Sequence, residues 1–128
     1  MKLLLDTHIW IWMVEEPKRL VRRVRQQLQD QANELWLSPI STWEVLLLHA
    51  KGKIQLQLHV EVWVPAATQG FKEAPLTHEI VLVSQQLTLH PDPADRFLAA
   101  TAKVLNLTLV TADARLLSCS DIMTLSNR

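Results

Sequence analysis

Leu3-Leu4-Leu5 is an unbroken apolar run that stops abruptly at Asp6. A strand with one wet face alternates apolar and polar residues, whereas a strand covered on both faces reads as continuous aliphatic sequence. The run therefore predicts an interior strand of a parallel sheet, and such a sheet needs helices on both of its faces. The rest of the chain supplies candidates for them. Thr7 to about Glu16 reads as a helix that Pro17 separates from a second one, in which Leu20, Val21, Val24 and Leu28 share a face. Leu35-Trp36-Leu37 predicts another strand. Ser38-Pro39 then starts a helix running to about Lys51, with proline tolerated in the first turn and Gly52 suited to end it.

Between residues 54 and 90 the pattern is mixed. Leu56, Leu58, Val60, Val62 and Val64 alternate as in a strand, while the ends of that stretch suit a helix. Phe71 to Leu76 suits a short strand. Thr77 is placed to cap a helix through Leu87, although Ile80-Val81-Leu82-Val83 would also suit a strand. Beyond this region Asp92 and Pro93 form an N-cap and first-turn pair for a helix to about Leu105. Leu107 to Val110 reads as a strand, Ala112 to Leu117 as a short helix, and Ile122 to Leu125 as a last strand.

At 128 residues and 48% hydrophobic content, residues 1–128 are expected to form a single domain with an ordinary core. No apolar run approaches the roughly 18 residues of a membrane span. The three leucines fall short of the about 7–15 residues of a signal-peptide core, so a cytoplasmic location is expected. Cys119 is the only cysteine, which excludes an intrachain disulfide and a cysteine-rich zinc site, and packing is its expected role. Thirteen basic residues balance thirteen acidic ones, which argues against non-specific polyanion binding. Five of the basic ones nevertheless cluster as Lys18, Arg19, Arg22, Arg23 and Arg25, on the polar face expected for the second helix.

In open parallel sheets, ligands bind beyond the carboxyl ends of the strands. Asp6 follows the first strand and Asp113 follows the Leu107–Val110 strand, both at that edge, although either could instead cap a helix. Glu44 lies within a helix, with Ile40, Leu47 and Leu48 as its i−4, i+3 and i+4 neighbours. A carboxylate so placed is costly unless paired, protonated or bound to a cation; the alternative is a glutamate solvated at the helix edge. Asp95 sits in the first turn of its helix, where the dipole favours an acid. Its neighbours Leu98, Ala99 and Ala102 turn that face toward the sheet.

Two carboxylates about 4 Å apart repel by roughly 4 kcal/mol at an effective dielectric of 20, so a cluster of four calls for protons or a divalent cation. Oxygen-only donors suit Mg²⁺ or Mn²⁺, and such ions support phosphodiester hydrolysis. Other sites fit less well. An aspartyl-phosphate phosphatase needs a second acid where this chain has His8. A receiver domain needs a late lysine, and none follows Lys103. Gly52 and Gly70 stand alone, so there is no phosphate loop, and no serine has a nucleophile-elbow context.

Leu3-Leu4-Leu5-Asp6-Thr7-His8, Ser38-Pro39-Ile40-Ser41-Thr42-Trp43-Glu44, Asp92-Pro93-Ala94-Asp95-Arg96 and Thr111-Ala112-Asp113 resemble, in order, the motifs of PIN domains, and of VapC-type toxins in particular. The resemblance spans nearly the whole chain. It implies a three-layer α/β/α sandwich with a central parallel five-stranded sheet. It implies that Asp6, Glu44, Asp95 and Asp113 gather around Mg²⁺ or Mn²⁺, with Asp6 and Asp95 as principal ligands and Glu44 and Asp113 acting directly or through water. Thr7, Ser41 and Thr111 would hold the carboxylates from behind. Asp92 would assist through water, although capping suits it better, and His8 suits packing better than ligation. No defensible metal-ligand spacing links His49, His59, His78 and His90.

The implied activity is endoribonuclease cleavage by in-line attack of water, leaving a 5′-phosphate and a 3′-hydroxyl. The implied partners are an RNA substrate, a cognate antitoxin whose tail covers the pocket, and a second copy of the chain in a homodimer. Trp10, Trp12, Trp43 and Trp63 are candidates for a partner groove or for the core. Lys18, Arg19, Arg22, Arg23 and Arg25 are candidates to guide RNA phosphates, or form a solvated face. A catalytically silent PIN-fold binding module and a PIN nuclease acting on DNA are the alternatives.

Overall fold

The computed structural model describes residues 1–128. Five strands, β1 (Lys2–Leu5), β2 (Glu34–Leu37), β3 (Lys72–Glu73), β4 (Thr108–Thr111) and β5 (Met123–Ser126), form one sheet in the order β3-β2-β1-β4-β5. Every pairing is parallel. Seven helices join them: α1 (Thr7–Glu15), α2 (Arg22–Gln29), α3 (Pro39–Ala50), α4 (Val60–Ala67), α5 (His78–Ser84), α6 (Pro93–Leu105) and α7 (Ala114–Leu117).

The leucine run of β1 is the centre of the sheet, and Leu3, Leu4 and Leu5 are all fully buried. Because successive side chains of a strand point to opposite faces, these three residues feed two cores. Leu3 and Leu5 join Ile9, Trp10, Val24, Trp63 and Val110 on one side; Leu4 joins Ile80, Leu98, Leu107, Leu109 and Leu116 on the other. The two apolar clusters are the two interfaces of the expected three-layer sandwich. α3 serves both, packing Val45 into the first and Ile40 against the second.

Helix boundaries follow their local chemistry. Ser38 caps α3 through Ile40 N, and Gly52 turns the chain away from its end with φ +70°. Asp92 caps α6, Pro93 opens it, and Asn106 closes it in the left-handed region at φ 56°. Thr77 caps α5, so Ile80-Val81-Leu82-Val83 is helical.

Two expectations are corrected. The alternating stretch from Leu56 to Val64 holds no strand: residues 54–59 are irregular and α4 begins at Val60. In α4 the buried residues are Trp63 and Ala67, four apart, while Val62 is 57% exposed. The apparent period of two mixes side chains that face water, Leu58 and Val62, with Leu56 and Val64, which pack partly against the core. Lys18 and Arg19, expected on the polar face of a helix, lie on a 3-10 turn (Pro17–Arg19) before α2 begins at Arg22. No helix is long and apolar enough to cross a membrane.

Candidate active site

The chain passes from β1 to β2 on one side of the sheet and returns to β4 on the other. The crevice between the carboxyl ends of β1 and β4 is therefore the switch point where such sheets bind ligands. Asp6 stands there, immediately after β1, with its backbone N–H still donating to Val110 O in the β4 ladder. Its Oδ1 accepts from Thr7 N and its Oδ2 from Thr111 Oγ1, each at 2.7 Å. Both carboxylate oxygens are thus fixed by groups on the two strand ends.

α3 brings Glu44 to the same crevice. Thr7 Oγ1 donates to Glu44 Oε1 at 2.5 Å and lies 3.0 Å from Ser41 Oγ. Thr7 and Ser41 are buried, so the hydroxyl pair positions Glu44 relative to Asp6. Asp95 arrives from the first turn of α6 and is 9% exposed. Asp113 follows β4, where Thr111 Oγ1 accepts from its backbone N–H. One hydroxyl, that of Thr111, therefore couples Asp6 to Asp113.

These side chains line one cavity of about 380 Å³. Asp6, Glu44, Asp92, Asp95 and Asp113 put five carboxylates around it, faced by His8, Trp12 and Arg115. A roomier cavity of about 500 Å³ lies beside β2 and β3, but its only charged residues are Lys72 and Glu73. Lys72 pairs with Glu34 at 3.1 Å, so that cavity offers no comparable chemistry.

The acids do not titrate alike. Burial pushes Asp95 up to about 7, helped by the neighbouring Asp6, Asp92, Asp113 and Glu44. Burial also raises Asp6, against the opposing hydrogen bonds from Thr111 and Thr7 N–H. Burial raises Glu44, against the hydrogen bond from Thr7. Asp113 goes the other way. Burial acts to raise it but is outweighed by hydrogen bonds from the Arg115 side chain and the Arg115 and Leu116 backbones, so it is held below its ordinary value. Asp113 caps α7 and pairs with Arg115 at 3.4 Å, and so combines the capping and pocket roles that its sequence position left open. Asp92 likewise caps α6 through Asp95 N while lining the cavity.

The donor set fits a hard divalent cation. All five carboxylates offer oxygen only, and three of them resist ionisation because burial strips their charged forms of water. No three acidic, histidine or cysteine side chains are arranged to hold one ion among them. A Mg²⁺ ion would not need three, since it keeps several waters and takes only one or two carboxylates directly.

Of the basic cluster, Arg19 is the member tied to this crevice. Its guanidinium stacks 4.4 Å over the ring of Trp12, which lines the cavity. Arg23 donates to Ser126 O and Arg25 to Leu20 O, while Arg22 is exposed. The four candidate tryptophans divide three ways. Trp10 and Trp63 are core residues with ring centroids 4.9 Å apart, Trp12 belongs to the cavity, and Trp43 is 53% exposed.

Sequence spacing missed His90 and Arg115. His90 Nε2 is 3.1 Å from Asp95 Oδ2, a proximity created by the turn before Asp92 and not by any ligand-like interval between histidines.

The fold and crevice define a class first: an open parallel α/β protein that gathers carboxylates at its switch point. The PIN domain profile matches residues 3–120. The chain is 33% identical over 117 residues to Ribonuclease VapC22 of Mycobacterium tuberculosis, covering 90% of this chain and 89% of that one. The chain belongs to the PIN domain family. Solved structures share the fold at lower identity. VapBC2 from Rickettsia felis, bound to a DNA fragment from its promoter, matches with a TM-score of 0.75 at 16% identity, covering 98% of each chain. A toxin–antitoxin complex from Klebsiella pneumoniae matches with a TM-score of 0.68 at 20% identity, again over 98% of each chain.

Proposed function

We propose that this protein is a Mg²⁺- or Mn²⁺-dependent endoribonuclease acting as the toxin of a toxin–antitoxin pair. The observation that carries the reading is the convergence of Asp6, Glu44 and Asp95, from three separate elements, into one cavity where all three are pushed toward their neutral forms. Kinship with a protein named a ribonuclease gives the reaction, and the toxin–antitoxin neighbours give the biological setting.

Asp6 and Asp95 are the principal metal ligands in this reading, with Glu44 and Asp113 completing the acidic pocket. A bound divalent cation supplies charge neutralisation on the phosphodiester and a more acidic water. The chain's own residues do the positioning. Thr111 and the Thr7 N–H aim the Asp6 carboxylate, Thr7 and Ser41 aim Glu44, and the first turn of α6 presents Asp95. Arg19 on Trp12, with Arg22, Arg23 and Arg25 beyond it, forms the basic approach for RNA phosphates that the acids alone would repel. Exposed Trp43, Leu46 and Leu47 on α3 offer apolar surface for an antitoxin or a second copy in a homodimer.

Incubating the purified protein with single-stranded RNA and with DNA of the same sequence tests this directly. Cleavage of RNA is expected with Mg²⁺ or Mn²⁺, with its loss in EDTA and in Asp6→Asn. Undiminished cutting by Asp6→Asn, or in EDTA, would contradict the reading; preferential cutting of DNA would reassign the substrate. RNA binding without cutting would favour the silent module.

A further inference from the structure

Arg96 belongs to the motif that carries Asp95, yet its side chain turns away from the acidic cavity. Nη1 donates to Ser84 O at 2.8 Å and to Leu87 O at 3.3 Å, and Nη2 donates to Leu89 O at 2.5 Å. A planar guanidinium that holds three carbonyls fixes the backbone it grips. The connection between α5 and α6 is thereby strapped to α6 just ahead of His90.

The consequence is that His90 folds back over the residue next to its own anchor. Its Nδ1 accepts from Asp92 N at 3.4 Å, which assigns the ring proton to Nε2. Nε2 is buried and forms no hydrogen bond, yet it stands 3.1 Å from Asp95 Oδ2. Asp95 receives no side-chain hydroxyl comparable to Thr111 on Asp6 or Thr7 on Glu44. His90 is the only side chain placed to serve it in that way.

We propose that His90 is a positioning residue for Asp95: its otherwise unpartnered Nε2–H takes Oδ2 as acceptor and orients the carboxylate that would hold a cation, and Arg96 fixes the connection that carries His90. This rests on the metal-dependent reading above. The outer partners of metal-ligating carboxylates fix their orientation, and their loss weakens metal binding without removing a ligand.

Calorimetric titration of Mn²⁺ into the metal-free protein, its His90→Ala variant and its His90→Gln variant provides the test. His90→Ala is expected to bind Mn²⁺ about 10- to 100-fold more weakly than the parent. His90→Gln, whose amide N–H₂ can reach Asp95, is expected to recover most of that loss. Parent-like binding by His90→Ala, or equal weakness in both variants, would overturn the role. A parent that takes up no Mn²⁺ would overturn the metal-dependent reading itself, and this inference with it. Long-range ¹H–¹⁵N spectra of the unaltered protein give a second readout that does not depend on a variant folding. A proton on His90 Nε2 is expected, and one on Nδ1 would overturn the proposal.

Discussion

Asp6 gives both carboxylate oxygens to neighbours before any ligand arrives, and the quality of the site depends on that arrangement. Replacing Thr111 by valine keeps the shape but removes the hydroxyl that donates to Asp6 and accepts from Asp113 N–H. Urea denaturation of Thr111→Val should show a loss of about 1–3 kcal/mol from the buried groups left unpaired, and Thr111→Ser should retain most of the stability. The proposed ligands behave in the opposite sense. Asp6→Asn and Asp95→Asn each remove a carboxylate whose charged form is disfavoured by burial. RNA cleavage should fall by more than about 100-fold, the scale on which one preorganised electrostatic group acts. Thermal midpoints at pH 7.5 without metal should hold or rise. A parallel fall in midpoint and activity would mean that the aspartates are structural. At this scale the sequence pointed to the four acids and three hydroxyls that the fold brings to one crevice, because strand ends and helix starts dictate where such residues point. It did not identify His90, whose proximity to Asp95 depends on the course of a connection that Arg96 fixes.

Elements explain which of these residues have two duties. Asp92 accepts from Asp95 N and so caps α6 while standing at the cavity. Asp92→Ala should cost about 1 kcal/mol in chemical denaturation, and Asp92→Ser should recover it, as expected for a cap. If serine restored stability but metal affinity stayed low, Asp92 would be acting on the ion as well. β1, α3, α6 and β4 were legible because each carries an unambiguous local signal: an unbroken aliphatic run, a Ser-Pro or Asp-Pro start, or a strand ending at an acid. α4 was not. Its valines at positions 60, 62 and 64 mimic a strand, while the burial that decides its conformation comes from Trp63 and Ala67. Residues 54–59 carry apolar side chains without regular structure, since Leu56 packs against the core from an irregular segment and Leu58 is 49% exposed. The basic turn was misplaced because Pro17 begins a 3-10 turn of its own before α2.

Across the whole molecule, the acidic crevice makes stability depend on pH and, under the proposed function, on metal. Asp95 takes up its proton at about 7 in the folded state, against about 4 for an ordinary aspartate. The folded chain therefore binds more protons than the unfolded chain between those values, and its stability falls as pH rises through that window. Asp6 and Glu44, both raised, act in the same direction. The metal-free protein should melt at a higher temperature at pH 5 than at pH 7.5. Mg²⁺ should raise the midpoint more at pH 7.5, where the carboxylates are ionised and able to bind it. A midpoint that climbs between pH 5 and 7.5 without metal would mean that the acids are already compensated. The most direct test of the central claim, that these carboxylates share a divalent cation, is anomalous diffraction from crystals soaked in Mn²⁺. The account predicts one or two peaks in the cavity bounded by Asp6, Glu44, Asp95 and Asp113. Crystals saturated with Mn²⁺ that show no peak there, or peaks only elsewhere on the protein, would contradict it.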